Sequence, residues 1–492
     1  MAVTRGEPTD RIPNGNGTVR MLKNFQSSVS GRFSSRRKKT PMNRLFGTDG
    51  IRGTAGKYPL EYGSVFALGR ALIQLLQENG LPPRILIGSD TRESGKWLEQ
   101  ALFQGAHSAD GEAVSCGIIP TSAVSHLTLK HAFSAGIVIS ASHNPYQDNG
   151  LKIFSSKGMK ISGSWEKHLE DAVISSAAPV TREFTDIRSA ESFHQEYEDF
   201  LVSCFRSVSS RRLKVIVDCA HGSASHIAPQ VLSRLDFEVI TLNAAPDGRN
   251  INAGCGSLHP GALAQAVLDE RADLGIALDG DADRALWVDE KGRILNGDHT
   301  LFVLGRYMKD RNRLSSNCII ATAMSNIGLE RALDGMGIRL FRAAVGDRYV
   351  LEQMIEKQTN LGGEQSGHTI FLDECPTGDG ILTSLKMLEV MQSGGLPLSE
   401  LVADFREYPQ ILQNVPVSRK EDFALFPEIT ASVREAKSKL GDFGRVHLRY
   451  SGTEPVARVM IEGPDAESIT VYADRIAQKI SKHLGQSRQE SE

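Results

Sequence analysis

The run Asp279-Gly280-Asp281-Ala282-Asp283-Arg284 sets three carboxylates at alternate positions directly after the apolar stretch LGIAL. Anions that close repel unless a cation joins them, and an all-oxygen donor set favours Mg2+, which keeps positions open for water or phosphate oxygens. An EF-hand calcium loop is a rival, with Glu290 at its twelfth position. It fails at the sixth, where Arg284 replaces the glycine such a loop needs, and a strand precedes it. A solvated acidic turn and a phosphatase with an aspartyl nucleophile are the other readings of this run.

A second cluster, ISASHNPYQDNGLKIF, follows a strand ending at Ser140. A turn set by Asn144 and Pro145 is expected to leave Ser142 and His143 at its tip, with the serine hydroxyl exposed. No G-x-S-x-G elbow surrounds Ser142, so acyl transfer has little support, which leaves phosphoryl transfer or an ordinary Ser/Asn/Pro turn. The third cluster, GGEQSGH at 362–368, offers the Glu364 carboxylate, the Gln365 amide and the Ser366 hydroxyl, groups suited to sugar hydroxyls. In the fourth, RYSGTEP at 449–455, Arg449 and nearby Arg458 join the hydroxyls of Ser451 and Thr453 and the exposed backbone that Gly452 permits. That composition suits a phosphate. Plain alternatives for these two are a Gly-rich turn between strands and a polar hairpin.

The elements that must hold these clusters alternate helical periodicity with short β-branched runs, the grammar of βαβ units. SVFALGRALIQLLQENG reads as a helix ending at Gly80 and RILIGSD as a strand; LKVIVDCAHGSAS, FEVITLN, DLGIALDGDADR, NCIIATAMSNIGLERAL and NLGGEQSGHTIF repeat the pattern. Three α/β units are therefore expected, over 42–205, 206–300 and 301–405, followed by an α+β tail over 406–492. In each α/β unit the polar cluster follows an apolar strand, and ligands of open α/β sheets bind beyond the carboxyl ends of strands, so the three clusters are expected to face one cleft.

At 492 residues the chain exceeds one core, and ~100 to 200 residues per domain predicts three or four. Six scattered cysteines form no CxxC or zinc spacing, which fits a reducing cytoplasm. No apolar run approaches the ~18 to 20 residues of a membrane span. Neither a membrane nor nucleic acid is an expected partner. Residues 1–41 hold nine Lys or Arg against Glu7 and Asp10, leaving −10 on the remainder of a chain whose net charge is −3. This arm buries too little to fold and is expected to be a disordered basic extension. It reads first as sequence upstream of a true start at Met42, then as a solvated tail, and last as an Arg- and Ser-rich transit peptide.

Taken together and in order, FGTDGIRG at 46–53, SASHNP at 140–145, DNGLK at 148–152, DGDADR, GGEQSGH and RYSGTEP resemble the α-D-phosphohexomutase superfamily, and within it the phosphoglucosamine mutase branch. The resemblance implies a four-domain architecture with one active site between the domains. It also implies interconversion of glucosamine 6-phosphate and glucosamine 1-phosphate through a phosphoserine and a glucosamine 1,6-bisphosphate, on the route to UDP-N-acetylglucosamine. Ser142 would carry the phosphate, primed by a kinase or a sugar bisphosphate, and with Asp279, Asp281 and Asp283 would hold Mg2+. His143 would orient that phosphate, and Arg284 would add positive charge. Lys152, Arg52 and His368 are the candidates for proton transfer. Glu364, Gln365 and Ser366 would bind the sugar, and Arg449, Ser451, Gly452, Thr453 and Arg458 the distal phosphate. Ala282 and His221 depart from the glycine and asparagine more usual in the branch, while Gln365 fits it. Phosphomannomutase or phosphoglucomutase activity is the alternative, and a non-catalytic phosphosugar-binding protein a third.

Overall fold

A computed structural model describes residues 45–47, 49–176, 192–206, 211–451 and 454–485. The expected basic extension, residues 1–41, lies outside them, as do Gly452 and Thr453. The first sheet runs β1 (Phe46–Gly47), β2 (Gly50–Thr54), β3 (Arg84–Ser89), β4 (Glu112–Ile118), β5 (Ala135–Ile139) and β6 (Asp148–Ser155), in spatial order β1-β2-β6-β5-β3-β4. β3 pairs in parallel with β4 and β5, and β6 returns antiparallel to β5. The AGIVI sequence of β5 is buried throughout because helices cover both faces. Ile85, Ile87, Ile137 and Ile139 pack with helices Tyr62–Glu78 and Gly95–His107 on one side. Leu86 and Val138 pack with helix Thr121–Lys130 on the other. The first two helices cross at Gly69 and Gly105; a Cβ on Gly69 would sit 2.6 Å from the Leu102 carbonyl oxygen.

The second sheet contains β7 (Lys214–Asp218), β8 (Glu238–Leu242), β9 (Leu274–Leu278), β10 (Ala285–Asp289) and β11 (Ile294–Leu295), in order β11-β10-β9-β7-β8. The third contains β12 (Cys318–Thr322), β13 (Arg339–Ala343), β14 (Leu361–Gly363) and β15 (Thr369–Phe371), in order β13-β12-β14-β15. All three sheets share one construction. A parallel core ends in a strand, β5, β9 or β14, whose next strand folds back antiparallel, and the connecting loop holds the polar cluster.

The last sheet is antiparallel throughout, with β16 (Gln410–Pro416), β17 (Arg445–Tyr450) and β18 (Val456–Glu462) in order β16-β18-β17. Helices Pro427–Leu440 and Ala466–Leu484 pack their apolar stripes on it, giving an α+β unit with its own core. All six cysteines are free and buried, and among the described residues no helix is long and apolar enough to cross a membrane.

Candidate active site

Ser142 sits just past β5 with φ +54°, a left-handed backbone that L-residues adopt at a cost. It is not an exposed tip as the turn sequence led us to expect: the residue is 0% exposed. The reason is packing from the second sheet's loops. Gly280 lies so close that a Cβ there would stand 2.7 Å from the Ser142 carbonyl oxygen. The Asn252 amide donates to that same oxygen at 2.9 Å. The hydroxyl is aimed: Ser142 Oγ donates to Asp279 Oδ2 at 2.6 Å and lies 3.1 Å from His143 Nδ1. Burial, then Arg284 and Arg52, push His143 down to about 4, so its ring is neutral at pH 7.

The three aspartates are buried and their ligand atoms lie within 4.8 Å of one another. Burial raises Asp279 well above the usual carboxylate range, reinforced by Asp283 and Asp281. Lys152, from β6, donates to Asp281 Oδ2 and Asp283 Oδ2, each at 2.8 Å. Burial would raise Asp283, but Lys152, His368 and Arg284 outweigh it and hold it at about 2. Burial would likewise depress Lys152, yet Asp281, Asp283 and Asp49 keep its ammonium well above its usual range. One oxygen of each pair is left over: Asp281 Oδ1 and Asp283 Oδ1 are buried with no hydrogen-bond partner among the described residues. Buried, unpaired carboxylate oxygens beside an anion-disfavoured Asp279 fit a hard divalent cation such as Mg2+. The Thr121 hydroxyl and amide fix Asp281 from the first unit, at 2.6 Å to Oδ2 and 3.0 Å to its carbonyl.

The third unit joins this centre through His368, which forms an antiparallel bridge with Arg284. His368 is buried, backed by Gly378, and neither ring nitrogen hydrogen-bonds a described residue. Its Nε2 lies 3.8 Å from Asp347 Oδ2. From there a line of charges leads back to the first unit. Lys160 Nζ reaches Asp347 Oδ1 at 2.6 Å and Asp49 Oδ1 at 2.5 Å, and Arg52 Nη2 reaches Asp49 Oδ2 at 2.5 Å. Glu364 accepts from the Gly346 amide at 3.1 Å, and Ser366 Oγ lies 3.4 Å from Glu364 Oε2. Gln365 enters by its backbone, its carbonyl accepting from Gly297 N at 2.9 Å.

Arg449 and Arg458 face each other across β17 and β18. Burial, then Arg458, lowers Arg449, the mark of a cation short of an anion. Ser451 Oγ lies 3.3 Å from Glu454, which also pairs with Arg458 at 3.0 Å. Among the described residues, nothing in this hairpin bonds to Ser142 or the aspartates.

Sequence reasoning did not single out Asp49, Asp90, Arg92, Thr121, Lys160, Asn252 or Asp347. Two signals were available. Asp90 and Arg92 lie in SDTRES, a polar cluster directly after β3, and Asp49 lies within FGTDGIRG. Lys160 and Asn252 carry no local signal, because their partners are more than 100 residues away.

Four family models match in order: phosphoglucomutase/phosphomannomutase alpha/beta/alpha domain I over 43–178, domain II over 195–292, domain III over 296–408 and the C-terminal domain over 412–479. Similar curated proteins are the phosphoglucosamine mutases of Koribacter versatilis and Solibacter usitatus. The first is 45% identical over 454 residues, covering 90% of this chain and 98% of the relative. The second is 44% identical over 443 residues, covering 90% and 99%. The chain belongs to the phosphoglucosamine mutase family. A phosphoglucomutase/phosphomannomutase family structure from Burkholderia thailandensis, 23% identical, superposes with a TM-score of 0.75 over 90% of this chain and 98% of its own, which shows the shared phosphohexomutase fold. Against the phosphoglucosamine mutase pattern, the two departures have a common geometry. Ala282 (φ +55°) and His221 (φ +50°) are both left-handed, the region glycine and asparagine adopt most readily.

Proposed function

We propose that this phosphohexomutase interconverts glucosamine 6-phosphate and glucosamine 1-phosphate, with Ser142 carrying the phosphoryl group, on the route to UDP-N-acetylglucosamine in the cytoplasm. The observation that carries the reading is the 2.6 Å hydrogen bond from Ser142 Oγ into the buried triad of Asp279, Asp281 and Asp283. The three aspartates would hold Mg2+, and the chemistry such a cation supplies is neutralisation of the phosphoryl oxygens. Arg284, Arg52 and Lys152 surround the same space with fixed positive charge, the electrostatic preorganisation that phosphoryl transfer needs.

In the forward direction the Oγ–phosphorus bond of phosphoserine breaks as a sugar hydroxyl oxygen bonds to phosphorus, giving glucosamine 1,6-bisphosphate. The hydroxyl's proton goes to His368, whose ring nitrogens are free of described partners, while Lys152 and Arg52 are held as cations by carboxylates. Asp347, 3.8 Å away, steadies the resulting imidazolium. Ser142 Oγ leaves as an alkoxide, takes a proton from water and ends as a hydroxyl donating to Asp279, while the proton held by His368 passes to solvent. The bisphosphate then turns over and returns its other phosphoryl group to Ser142. Glu364, Gln365 and Ser366 orient the sugar, and Arg449, Ser451, Gly452, Thr453 and Arg458 grip the phosphate that is not reacting. A kinase or a sugar bisphosphate primes Ser142.

The test compares kcat/KM for glucosamine 6-phosphate, glucose 6-phosphate and mannose 6-phosphate with a bisphosphate primer present. Glucosamine 6-phosphate is expected to be the preferred substrate, and a preference for mannose 6-phosphate overturns the assignment. Intact-mass measurement should show a phosphate increment that Ser142→Ala abolishes together with turnover.

A further inference from the structure

We infer that Arg92 is a positioning residue for phosphoryl transfer, its guanidinium acting as the template on which the Ser142 loop is wound. The inference rests on the mutase reading above. Arg92 is buried, with a side chain 0% exposed, and a guanidinium has five N–H donors in a fixed plane. Every one of its three nitrogens is engaged. Nε donates to Asp90 Oδ2 at 2.9 Å. Nη2 donates to the carbonyls of Ser142 at 2.9 Å and Asn144 at 2.8 Å. Nη1 donates to the carbonyls of Asp148 at 3.0 Å and of Pro145. Four carbonyls between Ser142 and Asp148, the first residue of β6, therefore converge on one side chain.

The loop needs such a template because its backbone makes only two turn bonds within itself, from Asn144 N to Ala141 O and from Asp148 N to Pro145 O, each at 3.1 Å. No backbone N–H among the described residues donates to the Ser142 or Asn144 carbonyl, and Ser142 is held at φ +54°, a conformation the surroundings must over-determine if it is to persist. Asp90 completes the cradle. It neutralises Arg92 and accepts from Ser140 Oγ at 2.6 Å, and Ser140 Oγ in turn accepts from the Ser142 amide at 2.9 Å. The Ser142 amide and carbonyl are thus both tied, directly or through one hydroxyl, to the Asp90–Arg92 pair. What remains free to turn is χ1, and the fixed backbone points Oγ at Asp279. Arg92 bonds to none of the three aspartates among the described residues, so its influence on chemistry passes through the geometry of Ser142 alone.

A lysine at this position keeps the charge but offers a single point donor in place of the planar fork. Arg92→Lys is therefore expected to lower kcat by about 10- to 100-fold, the scale of an ångström-sized misplacement of a reacting group, with KM within about twofold of wild type. The Mg2+ concentration for half-maximal activity should change little, because Asp281 and Asp283 keep Lys152 and Thr121 as partners. A role confined to folding would lower activity only in proportion to the folded fraction, and that outcome, or an unchanged kcat in folded protein, overturns the inference. Asn252→Asp supplies a second variant, should Arg92→Lys fail to fold. It tolerates the left-handed φ of +57° at that position but replaces the donor to Ser142 O and Asn144 O with an acceptor. The same kcat-selective loss is expected, and its absence counts against a template role for the N–H groups that donate to the loop's carbonyls. Wild-type turnover of glucosamine 6-phosphate reports on the mutase reading separately. A crystal structure of Arg92→Lys reports on the loop without any turnover: Ser142 still left-handed and still bonded to Asp279 would overturn the inference even if the activity assignment stood.

Discussion

The Ser142 loop and the Arg449–Arg458 hairpin are both expected to meet phosphate, yet they are built in opposite ways. In the first, backbone and side chains are saturated with partners drawn from two units, and the serine is inaccessible. In the second, two guanidinium groups face each other at the end of a three-stranded sheet, and the Arg449 side chain makes no hydrogen bond or ion pair to a described residue. Like charges placed opposite one another across a ladder repel. The difference matches two tasks. A group that breaks and forms bonds must be placed to a fraction of an ångström before substrate arrives, whereas a group that grips a spectator phosphate can leave its charge unsatisfied until the anion supplies the missing partner.

The comparison breaks first if the aspartate side of the serine site is not essential. Asp279→Asn keeps the shape and the bond from Ser142 but replaces one of the three carboxylates with a neutral amide. A fall in kcat of about 100- to 1,000-fold is expected, the scale of losing one preorganised electrostatic contact. Turnover within tenfold of wild type, measured across an Mg2+ titration, would mean that the serine region is rigid for structural reasons alone.

Next in size is the link between the serine-bearing unit and the third unit. Lys160 is held between Asp49 and Asp347, with Arg348 bonded to Glu166 beside it. Lys160→Met removes the cation between two part-buried carboxylates, of which Asp49 keeps Arg52, and the loss is expected to be about 1–3 kcal/mol. Chemical denaturation should show this as a lowered first transition. A loss under 1 kcal/mol would place the rigidity of the serine site within its own two loops.

At the hairpin the expected signature is different. Arg449→Ala removes the proposed charge-assisted contact to the spectator phosphate, worth about 1.5–3 kcal/mol, and should raise KM by about 10- to 100-fold. Because that contact is made equally in ground and transition states, kcat should change little. Initial-rate kinetics separate the two, and a kcat effect as large as that of Asp279→Asn would erase the contrast between the regions.

How much of this was legible in the chain follows from the same contrast. The loops themselves stood out, because a polar cluster after an unbroken apolar strand is a local signal, and DGDADR, SASHNP and GGEQSGH each carry it. The repeated α/β grammar and the α+β tail were equally local. What could not be read was the burial of Ser142, since it is imposed by Gly280 and Asn252 from a unit more than 100 residues away. The same holds for the Asp49–Lys160–Asp347 chain, whose members are ordinary charged residues until three separate segments meet. Exposure was expected for Ser142 because a turn rich in Ser, Asn and Pro is a surface signal, and tertiary packing overrode it.

The smallest effect concerns the one departure inside the metal loop. Ala282 lies between two of the aspartates with φ +55° and is fully buried, its amide closing a turn onto the Asp279 carbonyl at 3.0 Å. Glycine adopts this conformation without the Cβ penalty, though it also gives up a buried methyl and gains freedom in the unfolded chain. The left-handed strain outweighs these terms, since an L-residue there costs about 1–2 kcal/mol. Ala282→Gly should therefore stabilise the protein by up to about 1 kcal/mol in chemical denaturation, with kcat unchanged, because the side chain touches no reacting group. A destabilised variant with weakened Mg2+ dependence would show instead that the methyl group helps set the spacing of Asp281 and Asp283, which would extend the over-determined character of the serine loop to the aspartate loop opposite it.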